Sequence, residues 1–207
     1  MIIAVDGPTA SGKGTIAKAL AAHFGLPHLD TGLLYRAVGR QVFLEGGDPD
    51  DSVDALAACS FPDSLLDDPD LRNEETGGLA SRVSVHPEVR QALYERQRSF
   101  ATQDGGAVLD GRDIGTVIAP EAEAKLFITA SVEARAQRRF LEMRDRGVHV
   151  TLLEIQDDLR RRDERDRNRA VAPLVPAEDA MVIDTSSLGK EEAIAVAIEA
   201  VEQALRE

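Results

Sequence analysis

The sequence predicts an α/β fold, a parallel sheet with helices on both faces, and three observations point there. Short apolar runs at 2–5, 107–110, 125–129 and 181–184 alternate with longer stretches of helical periodicity. Strands buried on both faces read as such runs, and their alternation with helices implies parallel pairing. The first run leads directly into a glycine-rich turn and then an alanine-rich helical pattern through Phe24. Finally, 207 residues give room for one such domain with insertions and a substantial core.

The opening turn reads Gly7-Pro8-Thr9-Ala10-Ser11-Gly12-Lys13-Gly14-Thr15. Strand, turn and helix in that order are the context a P-loop requires. Phosphate oxygens need many N–H donors at short range, and glycines let the backbone supply them. The helix opening near Lys13 aims its unpaired N–H groups at the same anion, and the Lys13 ammonium suits the terminal phosphates. The hydroxyl that often follows the lysine as a magnesium ligand is here Gly14, with Thr15 one place later. That fits a magnesium ion held by phosphates and water, with no direct protein ligand.

Residues 26–30 read as a short second strand or extended link, after which Asp30, Thr31 and Gly32 can cap a helix over about 33–44. Gly46, Gly47 and Pro49 end it, and 50–60 predicts a short helix. Residues 61–75, polar, acidic and proline-containing, read as loop or mobile insert. Helical pattern returns from about Thr76. Pro87 opens a helix to about Gln103 with Val89, Leu93 and Phe100 on its apolar face. After the strand at 107–110 comes Gly111-Arg112-Asp113. After the strand at 125–129, Ser131 caps an arginine-rich helix to about Arg146. Residues 151–162 are again helical, 162–172 is a dense run of mixed charge broken by Pro173 and Pro176, and a last helix covers about 190–205.

Composition narrows the function classes. One cysteine, Cys59, excludes an intramolecular disulfide framework and fits a small half-buried residue in a reducing compartment. No run approaches the roughly 18 apolar residues of a membrane span, and the N-terminus lacks the basic flank of a signal peptide. A cytoplasmic protein is expected. The net charge of −13 argues against nonspecific nucleic-acid or membrane binding. The charge is unevenly spread: 45–75 holds eleven acidic residues and one basic, whereas 135–169 holds eleven arginines. Local potential can therefore oppose the net value.

Beyond the P-loop, two constellations carry chemistry. Arg112 and Asp113 could pair across their own turn; alternatively Arg112 presents a planar fork to a phosphate while Asp113 accepts from an exocyclic amine. The run from Arg162 through Asp166 to Arg169 could be a solvated helix face. Beside a P-loop, it suits a lid whose arginines neutralise charge in phosphoryl transfer, with Gly147 and the prolines as flexible flanks. His23, His28, His86 and His149 lack metal-ligand spacing and read as surface or turn residues. Transfer to a hydroxyl compound would need a base, for which Asp30 or Asp113 would serve. A nucleotide-dependent binding switch would leave the arginine run without a role.

The stretches GPTASGKGT, LDTGLLYR, LDGRDIGTV and RDERDRNRAVAPL, in this order over nearly the whole chain, resemble bacterial cytidylate kinases. The resemblance implies a P-loop NTPase fold with a five-stranded parallel sheet, a small NMP-binding subdomain and a short lid. On that pattern 1–207 is one P-loop kinase domain. Its core is about 1–45, 105–145 and 177–207, its NMP-binding insert about 46–104 and its lid about 146–176. The implied reaction moves the γ-phosphate of ATP, with Mg2+, to CMP or dCMP. Gly7 to Thr15 would cradle the ATP phosphates, Thr31 would lie near the acceptor, and Arg36 and Arg112 would meet the acceptor phosphate. Ser81, Arg90 and Asp113 would read cytosine, and Arg162, Asp166 and Arg169 would serve from the lid. Lys13, Arg112, Arg162 and Arg169 would be the catalytic cations. A monomer with nucleotides as its only partners is expected. The antiparallel sheet that relatives often insert before the Ser81 helix has too little alternating sequence to form here.

Overall fold

A computed structural model describes residues 1–206. Five strands, β1 (Ile2–Asp6), β2 (His28–Asp30), β3 (Ala107–Gly111), β4 (Ala124–Thr129) and β5 (Met181–Asp184), pair in parallel in the order β2-β3-β1-β4-β5. The strand with the most continuous apolar sequence, β1, lies at the centre and is buried throughout. Its alternate side chains serve opposite faces, as the period of a strand demands. Ile3 and Val5 pack under α1 (Lys13–Phe24) and α8 (Lys190–Ala204) with Leu20, Ile128 and Val201. Ile2 and Ala4 pack on the other face with Leu109, Ile114, Ile118 and Ala101, the last from α5 (Pro87–Ala101).

A second cluster joins α2 (Thr31–Leu44), α3 (Ser52–Ala57), α4 (Glu74–Val83) and α5 around Leu34, Val38, Leu71, Val83 and Leu93. A smaller one joins α6 (Val132–Asp145) to α7 (Leu152–Asn168) through Ala136, Met143, Ile155 and Leu159. The order of strands means that chain leaving β1 crosses to one side and later returns to the other. This leaves a crevice at the carboxyl ends of β1, β3 and β4, where ligands of parallel sheets bind.

Four expectations need correction. Residues 61–75 are not a loose loop. Two short 3-10 turns, Asp63–Asp67 and Pro69–Arg72, lead into α4, and Phe61, Leu65 and Leu71 are buried in the second cluster. Their spacing matches neither a helix nor a strand, so periodicity could not reveal them. α4 itself starts at Glu74, because the Asn73 side chain accepts from Thr76 N at 2.7 Å and caps it. α7 runs six residues past 162: a Thr151–Glu154 capping box starts it, and Arg162, Asp163 and Asp166 are buried against partners instead of breaking it. Asp30 occupies the start of α2 but makes no side-chain cap there.

As expected, no strand forms between 59 and 72 among the described residues, and Cys59 is half-buried. Leu71→Ala should lower unfolding stability by about 2–5 kcal/mol, the ordinary cost of a cavity at a fully buried leucine, read from the urea midpoint. A change under about 0.5 kcal/mol, the range of surface substitutions, would return the segment to a loose loop.

Candidate active site

The turn after β1 is fixed by a close approach. A side chain at Gly7 would stand 2.1 Å from the Ile128 carbonyl oxygen, so only glycine lets the loop lie against β4. Gly7 and Pro8 therefore form the base of the loop and do not face the crevice, contrary to the expectation for 7–15. Residues Thr9 to Thr15 do line it. Gly12 takes φ 92°, a conformation that favours glycine, and starts α1. Thr15 N and Ile16 N donate to Gly12 O, and Lys13 and Gly14, whose N–H groups have no earlier helical carbonyl to bond, line the cavity.

The cavity holds about 690 Å³ and is lined by every other residue singled out from the sequence, from Thr31 and Arg36 to Arg169. Eleven cationic side chains line it against five carboxylates, so the site is strongly positive although the chain carries −13. Burial, and then the nearby Arg112, lower the Lys13 ammonium to about 8. Burial and the adjacent Arg162 bring Arg36 to about 10.

Arg112 and Asp113 do not pair with each other. Arg112 donates from Nε to Asp166 Oδ2 at 2.7 Å and from Nη2 to Thr9 Oγ1 at 2.6 Å, joining the β3 loop to α7 and to the P-loop. Asp113 accepts from Arg90 of α5 and lies 3.7 Å from Arg169. Arg90 in turn lies over the Tyr35 ring, 5.4 Å from its centroid. Burial opposes the charge of Asp166, but Arg112, and after it Arg169 and Lys13, hold its carboxyl below the usual carboxylate range. Within the cavity wall Ser81 Oγ and Arg169 Nη2 are buried without a protein hydrogen bond, although Nη2 lies 3.7 Å from Asp113, so both keep hydrogen-bonding capacity for a ligand.

Several residues of the site were not legible in the sequence. Asp6 accepts from Ile114 N at 2.9 Å and Gly115 N at 2.8 Å and so braces the wide helical turn that follows Asp113. Burial pushes its carboxyl up to about 7. Arg135, fully buried, bonds Thr9 O at 3.1 Å and Asp163 at 3.0 Å, fixing α6 and α7 to the P-loop. His28 is no surface residue: its Nε2 lies 2.7 Å from Asp110 Oδ1, with the ring 15% exposed. Asp110 also faces the start of α1, 3.6 Å from where a Gly14 side chain would begin. Glu74 pairs with Arg139 and Arg162. The only signal for these was an excess of charge in the right segments.

A buried surplus of cations around a glycine-rich loop suits polyphosphates and little else, which places the chain among the P-loop nucleotide kinases. The fold is shared with solved structures: an uncharacterized protein from Eubacterium ventriosum (TM-score 0.56, 16% identity, 98% of each chain) and TT1252 from Thermus thermophilus (TM-score 0.50, 23% identity, 99% of this chain and 97% of that one). The family described as Cytidylate kinase matches residues 3–203. Curated cytidylate kinases from Methylocella silvestris and Cereibacter sphaeroides (strain KD131) are 55% and 57% identical, over 99% and 97% of this chain and 95% and 94% of theirs. The chain belongs to the cytidylate kinase family and is a nucleoside monophosphate kinase.

The Lys13 shift gives a pH prediction. Its cationic form, which attracts phosphates, prevails below about 8 and is lost above it. Affinity for a nucleoside triphosphate, measured by calorimetry, should weaken as pH rises from 7 to 9, by up to about tenfold per unit beyond the midpoint. Affinity constant over that range would remove Lys13 from the triphosphate site.

Proposed function

We propose that the chain transfers the γ-phosphate of ATP to CMP or dCMP, giving ADP and CDP or dCDP, by in-line displacement within this cavity. The observation that supports the base assignment best is that the Arg90–Asp113 pair and the Ser81 hydroxyl, which has no protein hydrogen bond, line one cavity. Cytosine offers an amino donor next to N3 and O2 acceptors. A carboxylate and a hydroxyl can meet the amine while a guanidinium meets the acceptors. Uracil would turn a carbonyl toward Asp113, leaving a buried acceptor unpaired at about 1–3 kcal/mol, roughly ten- to a hundredfold or somewhat more in specificity.

The P-loop from Thr9 to Thr15 receives the ATP phosphates and Lys13 meets the terminal pair. Thr31, Arg36 and Arg112 hold the acceptor phosphate. Arg162 and Arg169, with Asp166 orienting Arg112, neutralise the charge that develops on the transferred group. The acceptor already carries an anionic oxygen, so its attack needs no strong base. Positioning and charge supply the rate.

Asp30 and Asp110 suit a magnesium ion that keeps its own water shell. Both line the cavity near Lys13, and burial together with Asp110 raises the Asp30 carboxyl above its usual range, the sign of two close carboxylates that a cation would relieve. When bound, that ion would offset the negative charge of the phosphates.

In this reading 46–104 is the NMP-binding insert and 146–176 the lid, moving over a core formed by the rest. Closure excludes water, so that ATP is spared hydrolysis. No helix among the described residues is long and apolar enough to cross a membrane. The proposed setting is the cytoplasm, as a monomer acting on free nucleotides and not on nucleic acid.

A coupled assay with CMP, dCMP, UMP and AMP tests the assignment. CMP or dCMP should exceed UMP by the tenfold or more argued above, and a preference for AMP would sink the base reading. Arg169→Ala should lower kcat far more than ATP affinity, since its Nη2, which makes no protein hydrogen bond, serves the transition state; normal turnover would remove it from that role.

A further inference from the structure

Glu74 begins α4, on the insert, and its carboxylate is shared by two arginines from elsewhere in the chain. Oε1 accepts from Arg162 Nη2 of α7 at 2.7 Å, and Oε2 accepts from Arg139 of α6, with Nε at 2.7 Å. The Arg162 Nη2 also donates to the Glu74 carbonyl at 3.2 Å. One turn on, a side chain at Gly77 would stand 2.9 Å from both Arg162 Nη1 and Arg36 Nη2, so the two guanidiniums lie directly on the backbone of α4. Arg36 donates from Nη1 to the carbonyls of Leu71 and Asn73, just before the helix. Among the described residues, the ion pairs from 46–104 to α6 and α7 are those of Glu74 alone.

The position of Glu74 relative to the cavity decides what it does. Arg36, Arg139 and Arg162 line the cavity, whereas Glu74 does not. Its side chain is 31% exposed, against 18% for Arg139 and 4% for Arg162, so it holds the two guanidiniums from outside the cavity lining. A carboxylate there fixes where two guanidiniums point and lowers their mutual repulsion, and it does so only while insert and lid are together.

We infer that Glu74 is a positioning residue for phosphoryl transfer, holding Arg162 and Arg139 in register with the phosphates when the insert meets the lid. The inference rests on the kinase reading above. It concerns a residue that touches no substrate and acts through Arg162. Glutamine is the informative replacement: it keeps the size but has one acceptor oxygen, and its amide would face an arginine N–H donor to donor.

The test uses the full chain with ATP and CMP. Glu74→Gln should lower kcat about tenfold or more, as misplacement of a charge-stabilising group does, while KM for both nucleotides changes less than about threefold. Glu74→Asp, which keeps two acceptor oxygens, should recover part of the loss. In an Arg162→Ala background, adding Glu74→Gln should cost less than about threefold, because residues acting through one group are not additive. Unchanged kcat in Glu74→Gln, no recovery in Glu74→Asp, or a full additive cost in the double variant would overturn the inference while leaving the kinase reading intact. If wild type makes no CDP from ATP and CMP, the kinase reading fails and takes this one with it.

Discussion

Cations that must grip phosphates have to be gathered out of water, and gathered cations repel. At an effective dielectric of about 20, two unit charges 4 Å apart oppose each other by about 4 kcal/mol. Eleven such groups around one cavity could not be held by packing alone. The chain interleaves buried carboxylates among them, Asp166 against Arg112 and Asp113 against Arg90, and sets Asp163 against Arg135 outside the cavity lining. Removing one partner of a buried pair strands the other at about 3–5 kcal/mol, so each pair also locks two segments together. The arginines arrive already oriented, because the carboxylates that hold them are part of the protein.

The parallel sheet makes this interleaving possible. The loops after β1 and β3 leave neighbouring strands at the same edge, so Thr9 and Arg112 meet at 2.6 Å although they are 103 residues apart. Asp6, the last residue of β1, reaches the turn after Asp113 through two backbone N–H groups. The turn after Asp113 and the P-loop are thereby tied together by a single side chain between them. α7 then closes the circuit from above, its Asp163 and Asp166 each bound to an arginine of another element.

The strands and the P-loop were legible because their signals are local: three to five apolar residues in a row, or glycines at fixed spacing before an alanine-rich helix. The site residues drawn from motifs were legible too, and all but Gly7 and Pro8 face one cavity. What escaped depends on partners far along the chain. Nothing near His28 announces Asp110, and nothing near Glu74 announces Arg139 and Arg162. The packing of Phe61, Leu65 and Leu71 escaped for another reason. Consecutive 3-10 turns give no steady period, and the acidic residues between them look like exposed loop.

The separation of charge within the molecule has a consequence for how it responds to salt. Because the cavity holds a surplus of cations, the remaining surface is more negative than −13 implies, and its net charge repels free nucleotides. At physiological ionic strength the Debye length is about 8 Å, so mobile ions quench the outer field while reaching the dehydrated arginines poorly. Rising salt should thus erode the outward barrier sooner than the inward hold, an ordering opposite to that of proteins whose phosphate-binding charge lies open to solvent.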